Sequence, residues 1–413
     1  MKIKTLRSIL EYLLVICIIL EFYTVYGAMP LIKRLVQITP AFILLTLIII
    51  TPQRLSRTTG LCVIAYFMGA IVPMLNIRSD TYISYIKDFV VMLPLLWIYL
   101  SKRKQAGVTA YLSLFFKYSD TVTWLATISL VMWLFCSVLQ VIPMTGLAPY
   151  AWSSNVFFVP SYYNIYFETQ SIDLLGVPFM RNTGIFNEGP MYNMVLCVSL
   201  AIEYFIRSVK SKPRITILVI AIFSTFTTTG QLFLLALLAW HILRKTAGRY
   251  HVLILIMAPL VIIGVYIMTS TIMDFKSDTG GDHSIDSRTW DIMNCIDAGM
   301  KNPLLGIGIV QSKDITIWEG TELGYSNSLF TLFAKGGLYV LTLYLFALLI
   351  VPCLYYCKYK QSRWMITMLC YFTLFSFTTS IERYLTLLFL AWGLSNIDMV
   401  RWNRQFINIS STF

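Results

Sequence analysis

The stretch from Ile9 to Ala28 reads ILEYLLVICIILEFYTVYGA. It is the first of many such runs, and runs of this kind decide the fold class. A bilayer core of about 30 Å demands roughly 20 apolar residues of each crossing helix. Backbone amides find no water there, so only helices or closed barrels can span it. These runs are too long and continuous for barrel strands. Composition agrees: the chain has 413 residues, 57% hydrophobic and 13% charged, with a mean hydropathy of +0.71. A soluble domain carries about 25% charge. Lys2, Lys4 and Arg7 precede the first run, as in a signal peptide. The run is too long for one, and no small-residue cleavage site follows cleanly. It is expected to stay as the first helix.

The apolar pattern places helices near 8–28, 36–52, 59–77, 83–101, 121–144, 190–209, 214–229, 230–244, 250–270, 327–357, 363–380 and 383–400. The expected fold is therefore all-α: a polytopic integral membrane protein of about 12 transmembrane helices. The formal charge of +12 does not point to nucleic acid, because the cations sit in short connections between apolar runs. Of the 32 cations, 21 fall within 2–7, 54–57, 102–117, 207–214, 244–249, 358–363 and 401–404. These are alternate connections, and the positive-inside rule places them and both termini in the cytoplasm.

Two long segments then face outward. The chain divides into N-terminal helices (1–144), a first outer loop (145–189), central helices (190–270), a second outer loop (271–326), and C-terminal helices with a cytoplasmic tail (327–413). Loops this long are usually functional. A cysteine introduced at Ser154 or Ser284 is expected to react with an impermeant thiol reagent from outside, and one at Ser211 is not. Labelling of Ser211→Cys in intact cells, with Ser284→Cys protected, would reverse the orientation. The helices at 214–229 and 230–244 span only about 23 Å each. Their outer turn, Thr227-Thr228-Thr229-Gly230, is expected below the membrane surface in a polar cavity.

Of the eight cysteines, only Cys295 lies in a polar loop, so no intrachain staple is expected. Cys353 and Cys357 share a helix face without a His or a second pair, and no Asp-x-Asp or His/Cys cluster stands at metal-ligand spacing in the outer segments. No metal or other cofactor is expected. The aspartates of the second loop recur about four apart, as on a solvated helix face.

The chemistry concentrates at the loop ends. Arg181 and Glu188 flank the first loop's exit, where Pro190 opens a helix. They either serve a ligand or close the loop as an ion pair. The second loop holds Arg288-Thr289-Trp290, then Pro303-Leu304-Leu305-Gly306-Ile307-Gly308, then Tyr325-Ser326-Asn327. Lys335 follows two turns into an apolar helix, where a charge is costly unless it faces a cavity or partner, or snorkels outward. Lys87 and Asp88 lie near the outer end of the fourth helix, where a structural role is expected, each paired with the other's neighbours. The aromatic stretch Tyr150, Trp152, Phe157, Phe158, Tyr162, Tyr163, Tyr166 and Phe167 fits sugar stacking and an interfacial belt equally well.

This order of motifs resembles the Wzy-type polysaccharide polymerase and O-antigen ligase superfamily of membrane glycosyltransferases. The matching pieces are Arg181 to Phe186, Arg288 with Trp290 (one residue tighter), Pro303 to Gly308, and Asn327 followed by Gly337-Leu338. The resemblance covers about 180 to 345. Three departures stand out. Ser326 replaces a frequent His, Gly230-Gln231 replaces Ser-Arg, and Glu188-Gly189-Pro190 stands where ligases often carry Asn-Pro-Asn.

The resemblance implies a GT-C-like fold and a metal-independent, inverting transfer between undecaprenyl-diphosphate-linked oligosaccharides, donor and acceptor both in the bilayer. It favours a repeat-unit polymerase making O-antigen, capsule or exopolysaccharide. A chain-length regulator is a further candidate partner. Arg181 and Arg288 are assigned to the diphosphate, with Lys335 as a third cation. Glu188 and then His283 are candidate bases. Asn327, Tyr325 and Gln231 are candidate substrate contacts. The rival readings are O-antigen ligase, a peptidoglycan polymerase and a lipid-linked oligosaccharide flippase. A transporter should show repeats and midplane charges; no repeat is visible, and the polar residues cluster in the outer loops.

Overall fold

The computed structural model describes residues 3–74, 82–152, 155–174, 177–246, 282–308, 317–318, 321–322, 327–378 and 380–397. Twelve helices are named from them: α1 (Ile3–Glu21), α2 (Pro30–Ile50), α3 (Arg57–Met74), α4 (Ile83–Gln105), α5 (Val108–Val138), α6 (Gly189–Ile206), α7 (Lys212–Ser224), α8 (Thr228–Thr246), α9 (Asp282–Lys301), α10 (Ser328–Tyr359), α11 (Ser362–Ser376) and α12 (Tyr384–Leu394). Six of these, α2 to α6 and α10, are long and apolar enough to cross a membrane. Thr228–Ile242 and α12 are shorter apolar helices. The helix expected at 250–270 lies outside the described residues.

Sequence separates buried helices from lipid-facing ones. Every residue of α12 is buried, as expected for a helix that is apolar all round. Its Phe389 stacks on Tyr371 of α11 at 3.8 Å, and its Trp392 meets Phe115 of α5 at 4.0 Å. In α2, by contrast, Leu31, Leu35, Ile38, Phe42, Leu45 and Ile49 are exposed. They recur every three or four residues and form one outward stripe suited to lipid.

The two ends of the bundle differ in charge. At one end Arg7 donates to the Ile50 carbonyl (3.0 Å), Lys102 to Ile48 (2.7 Å) and Lys104 to Ser395 (2.7 Å). Buried Glu11 is held there by Lys117 and by Arg103 at 3.5 Å. The predicted cytoplasmic connections therefore meet at one end. The apolar pattern starts the fifth helix near 121 and leaves Lys117 in a connection, yet α5 begins at Val108. The pairing with Glu11 offsets the cost of carrying Lys117 on the helix.

The structure is mainly helical, but the all-α expectation fails within residues 145–189. Strands β1 (Gly146–Trp152) and β2 (Asn155–Tyr162) form an antiparallel hairpin, β3 (Tyr166–Phe167) adds to β2, and β4 (Ser171–Leu174) pairs with β5 (Val177–Met180). A further short pair, β6 (Ile317–Trp318) with β7 (Thr321–Glu322), lies in the second segment. Burial divides the aromatic stretch. Tyr150, Tyr162, Tyr166 and Phe167 are buried, while Phe157, Phe158 and Tyr163 are exposed. Four of the eight are thus loop core, and the three exposed rings can stack on sugar or lie on the membrane.

Candidate functional site

The segment after β5 is anchored from residue 182 onward. Asn182 is buried, with its backbone N–H and its Nδ2 on the carbonyl and Oγ of Ser224, both at 3.0 Å. Thr183 donates to the Phe167 carbonyl (3.0 Å), and Gly184 turns the chain at φ +57°. Phe186 stacks on Tyr192 at 5.0 Å and bridges to Thr24. The Arg-x-x-Gly-x-Phe pattern is a plug, and Arg181 stands at its start.

Arg181 takes its position from Gln170. Its backbone N–H donates to the Gln170 carbonyl (3.1 Å), and Nη1 contacts Oε1 at 3.4 Å. The same Oε1 accepts the Gly189 N–H at 3.2 Å. Nε of Arg181 is buried without a hydrogen-bond partner among the described residues. Such a donor is a candidate for a ligand oxygen. Burial lowers the Arg181 pKa, and Glu188 opposes that shift by favouring the charged form.

The α7–α8 turn packs on this wall. Thr225 and Thr227 are buried, with their hydroxyls 3.0 Å apart. Asn193 Nδ2 approaches Thr229 Oγ1 at 3.4 Å. A Cβ on Gly230 would overlap Asn193 Oδ1. That close approach explains glycine at the position where the resemblance expects serine. Gln231 follows one residue later, its N–H on the Thr227 carbonyl at 3.1 Å.

The second wall joins α9 to α10. Asn327 caps α10: its Oδ1 accepts from Phe330 N at 2.9 Å, and its Nδ2 donates to buried Asp291 at 3.1 Å. Arg288 and His283 lie on α9 upstream of Asp291. Tyr325 lies outside the described residues. Burial, with Asp291 adding to it, pushes the Cys295 thiol up to about 12, so it is not a thiolate nucleophile.

Two of the noticed motifs bind each other. Helix α10 breaks at Gly337 (φ 59°, ψ −165°). The Pro303–Gly308 turn takes up the broken hydrogen bonds. Ile307 and Gly308 donate to the Ala334 and Lys335 carbonyls at 2.9 and 3.1 Å. Leu338 and Tyr339 donate to the Pro303 and Leu304 carbonyls at 2.8 and 3.0 Å. Irregular backbone is tolerated in a membrane protein where protein satisfies it in this way. The stretch 338–359 alone measures about 33 Å, a full crossing. Lys335 therefore sits at a break before the spanning part, not two turns into an unbroken helix. Its Nζ stands 3.9 Å from Glu382 Oε1.

Glu382 begins a cluster absent from the sequence expectations. Its neighbour Arg383 pairs with Glu21 at 2.9 Å and lies over the Tyr23 ring at 3.7 Å. The Tyr23 carbonyl accepts the Asn187 N–H at 2.8 Å, beside Glu188. Contacts thus run from Lys335 through Glu382, Arg383 and Tyr23 to the Arg181–Glu188 wall. A signal was present: Glu382-Arg383 is a charged pair in a short connection between two apolar runs. Lys87 and Asp88 pair with each other at 3.3 Å.

These features define a polytopic, mainly helical membrane protein with a polar site at the end opposite its cationic connections. Residues 215–345 match the family model described as O-Antigen ligase. That match supports membership of the O-antigen ligase/polymerase superfamily. It takes in Gln231, His283, Arg288, Tyr325, Asn327 and Lys335 and leaves Arg181 and Glu188 outside. No curated protein and no solved structure matches the chain.

Proposed function

We propose that this protein polymerises undecaprenyl-diphosphate-linked oligosaccharide repeat units into a surface polysaccharide at the outer face of the cytoplasmic membrane. The observation that carries this reading is Arg181. It is a loop arginine with a buried, unpartnered Nε, set beside Glu188 at the end away from the cationic connections. The positive-inside rule makes that end the outer one.

In this reading the acceptor hydroxyl attacks the anomeric carbon of the donor from the face opposite the diphosphate. The new C–O bond forms as the bond to the diphosphate oxygen breaks, with inversion. Arg181, Arg288 and Lys335 stabilise the charge that grows on the leaving diphosphate, a task suited to guanidinium forks. Glu188 accepts the hydroxyl proton. His283 is the second candidate base, and Asn327, Tyr325 and Gln231 are proposed to orient the sugars. Glu188-Gly189-Pro190 in place of Asn-Pro-Asn favours polymerase over ligase.

The test is purified protein with synthetic lipid-linked repeat units, read as chain length on a gel. A ladder of repeat-unit spacing is expected. Transfer only onto a lipid A-core acceptor would make the protein a ligase. Translocation across vesicles without any new glycosidic bond would make it a flippase. Activity is also expected to survive EDTA. Loss that magnesium or manganese restores would reject the metal-independent mechanism.

A further inference from the structure

At the cationic end a cavity of about 280 Å³ opens between the ends of α6, α8 and α11. Its aromatic side is Tyr204 and Phe205, with Phe205 in edge contact with Trp240 at 6.2 Å. Aromatic groups of this kind mark a membrane–water interface. The polar side is a ring of cations. Arg207 is neutralised by Asp120 at 2.8 Å and Glu203 at 2.9 Å. Lys210, Arg244 and Arg363 come from three different elements, and among the described residues none of them meets a carboxylate within ion-pair distance.

Two of these charges act on the third. Burial lowers the Lys210 pKa, and Arg244 and Arg363 lower it further. Lys210 is nonetheless held in place, with Nζ over the Tyr204 ring at 4.1 Å. Tyr204 is fixed in turn by a 2.6 Å hydrogen bond to His241 Nδ1. Arg363 stands in the first turn of α11, where the helix dipole disfavours a cation. Like charges gathered around a cavity, with no carboxylate among its described lining residues, favour an anion between them.

We propose that this cavity binds the phosphate of an anionic lipid headgroup in the adjoining leaflet. Basic pockets between transmembrane helices bind phosphate-bearing headgroups in this way. The aromatic floor suits the glycerol and upper acyl region, and the cations suit the phosphate. The site lies at the end opposite the proposed glycosyl-transfer site, so its test is independent of that reading.

Full-length protein is equilibrated in vesicles of equal phosphatidylglycerol and phosphatidylcholine, and the retained lipids are counted by native mass spectrometry. Wild type is expected to retain phosphatidylglycerol by roughly tenfold or more over phosphatidylcholine. The preference should vanish in Lys210→Ala/Arg363→Ala and largely persist in Arg363→Lys. Displacement of the lipid by millimolar glycerol phosphate would uphold the phosphate site and assign it a soluble ligand. Equal retention of the two lipids by wild type would overturn the proposal, and that reading needs no variant to fold. An undiminished preference in the double variant would overturn it as well.

Discussion

Arg181→Ala and Arg288→Ala are each expected to cut polymer synthesis a few hundredfold while the protein stays at wild-type abundance. Removing a preorganised contact to charge that grows in the transition state costs about 3–4 kcal/mol, which is a few hundredfold in rate. The structural cost at Arg181 is far smaller. Beside its attraction to Glu188, its side chain makes one long hydrogen bond among the described residues, to Gln170 at 3.4 Å, and Gln170 keeps the Gly189 N–H as a partner. A net hydrogen bond of that kind is worth about 1 kcal/mol. Arg288 lies within α9, and alanine is the best helix former, so the backbone tolerates the change. Arg→Lys should rescue poorly at both positions, because an ammonium cannot make the bidentate fork. A loop-closing role for Arg181 predicts the reverse pattern, lowered abundance with normal activity per molecule. Wild-type polymer from both alanine variants at normal abundance would end the assignment.

The membrane body was legible because bilayer physics writes itself into composition. Runs near 20 residues and cations in alternate connections gave the helices and their common ends. The hairpin at 146–162 was not legible as strands. Its Val156, Phe157, Phe158 and Val159 make one apolar run, and the first three are exposed although neighbours point to opposite faces, so the alternation that marks a half-buried strand is missing. The family-like motifs were visible as strings, but their structural roles were not. Arg181 to Phe186 is mostly a buried plug, Asn327 is a cap tied to Asp291, and Pro303–Gly308 is a clamp on Gly337. Each of these depends on contacts between residues far apart in the chain. Arg383 shows the same limit: only the fold brings it to Glu21, 362 residues away.

Gly337→Ala and Gly306→Ala are expected to collapse the folded population more than tenfold. Both glycines have positive φ, 59° and 65°. Gly337 combines its φ with ψ −165°, a region essentially reserved for glycine, and placing alanine there costs about 1–3 kcal/mol before any contact is counted. A Cβ on Gly337 would overlap the Leu304 carbonyl and lie 2.6 Å from the Gly306 nitrogen. A Cβ on Gly306 would lie 2.5 Å from the Ala334 oxygen and 2.7 Å from the Gly337 nitrogen. These are backbone atoms, so no rotamer change relieves the clash. Separating the two segments breaks the four clamp bonds, each worth about 0.5–1.5 kcal/mol net and more where water cannot replace it. Together the terms reach at least about 3 kcal/mol, a large share of ordinary stability. Gly60→Ala is the control: a Cβ there meets nothing within 4 Å, and α3 should gain slightly from alanine. Thermal unfolding in detergent and the yield of monodisperse protein measure the effect. The folded remnant should also lose activity, because the clamp fixes Lys335 against Glu382. A Gly337→Ala protein that melts with wild type would mean that the turn and the broken helix are not locked together.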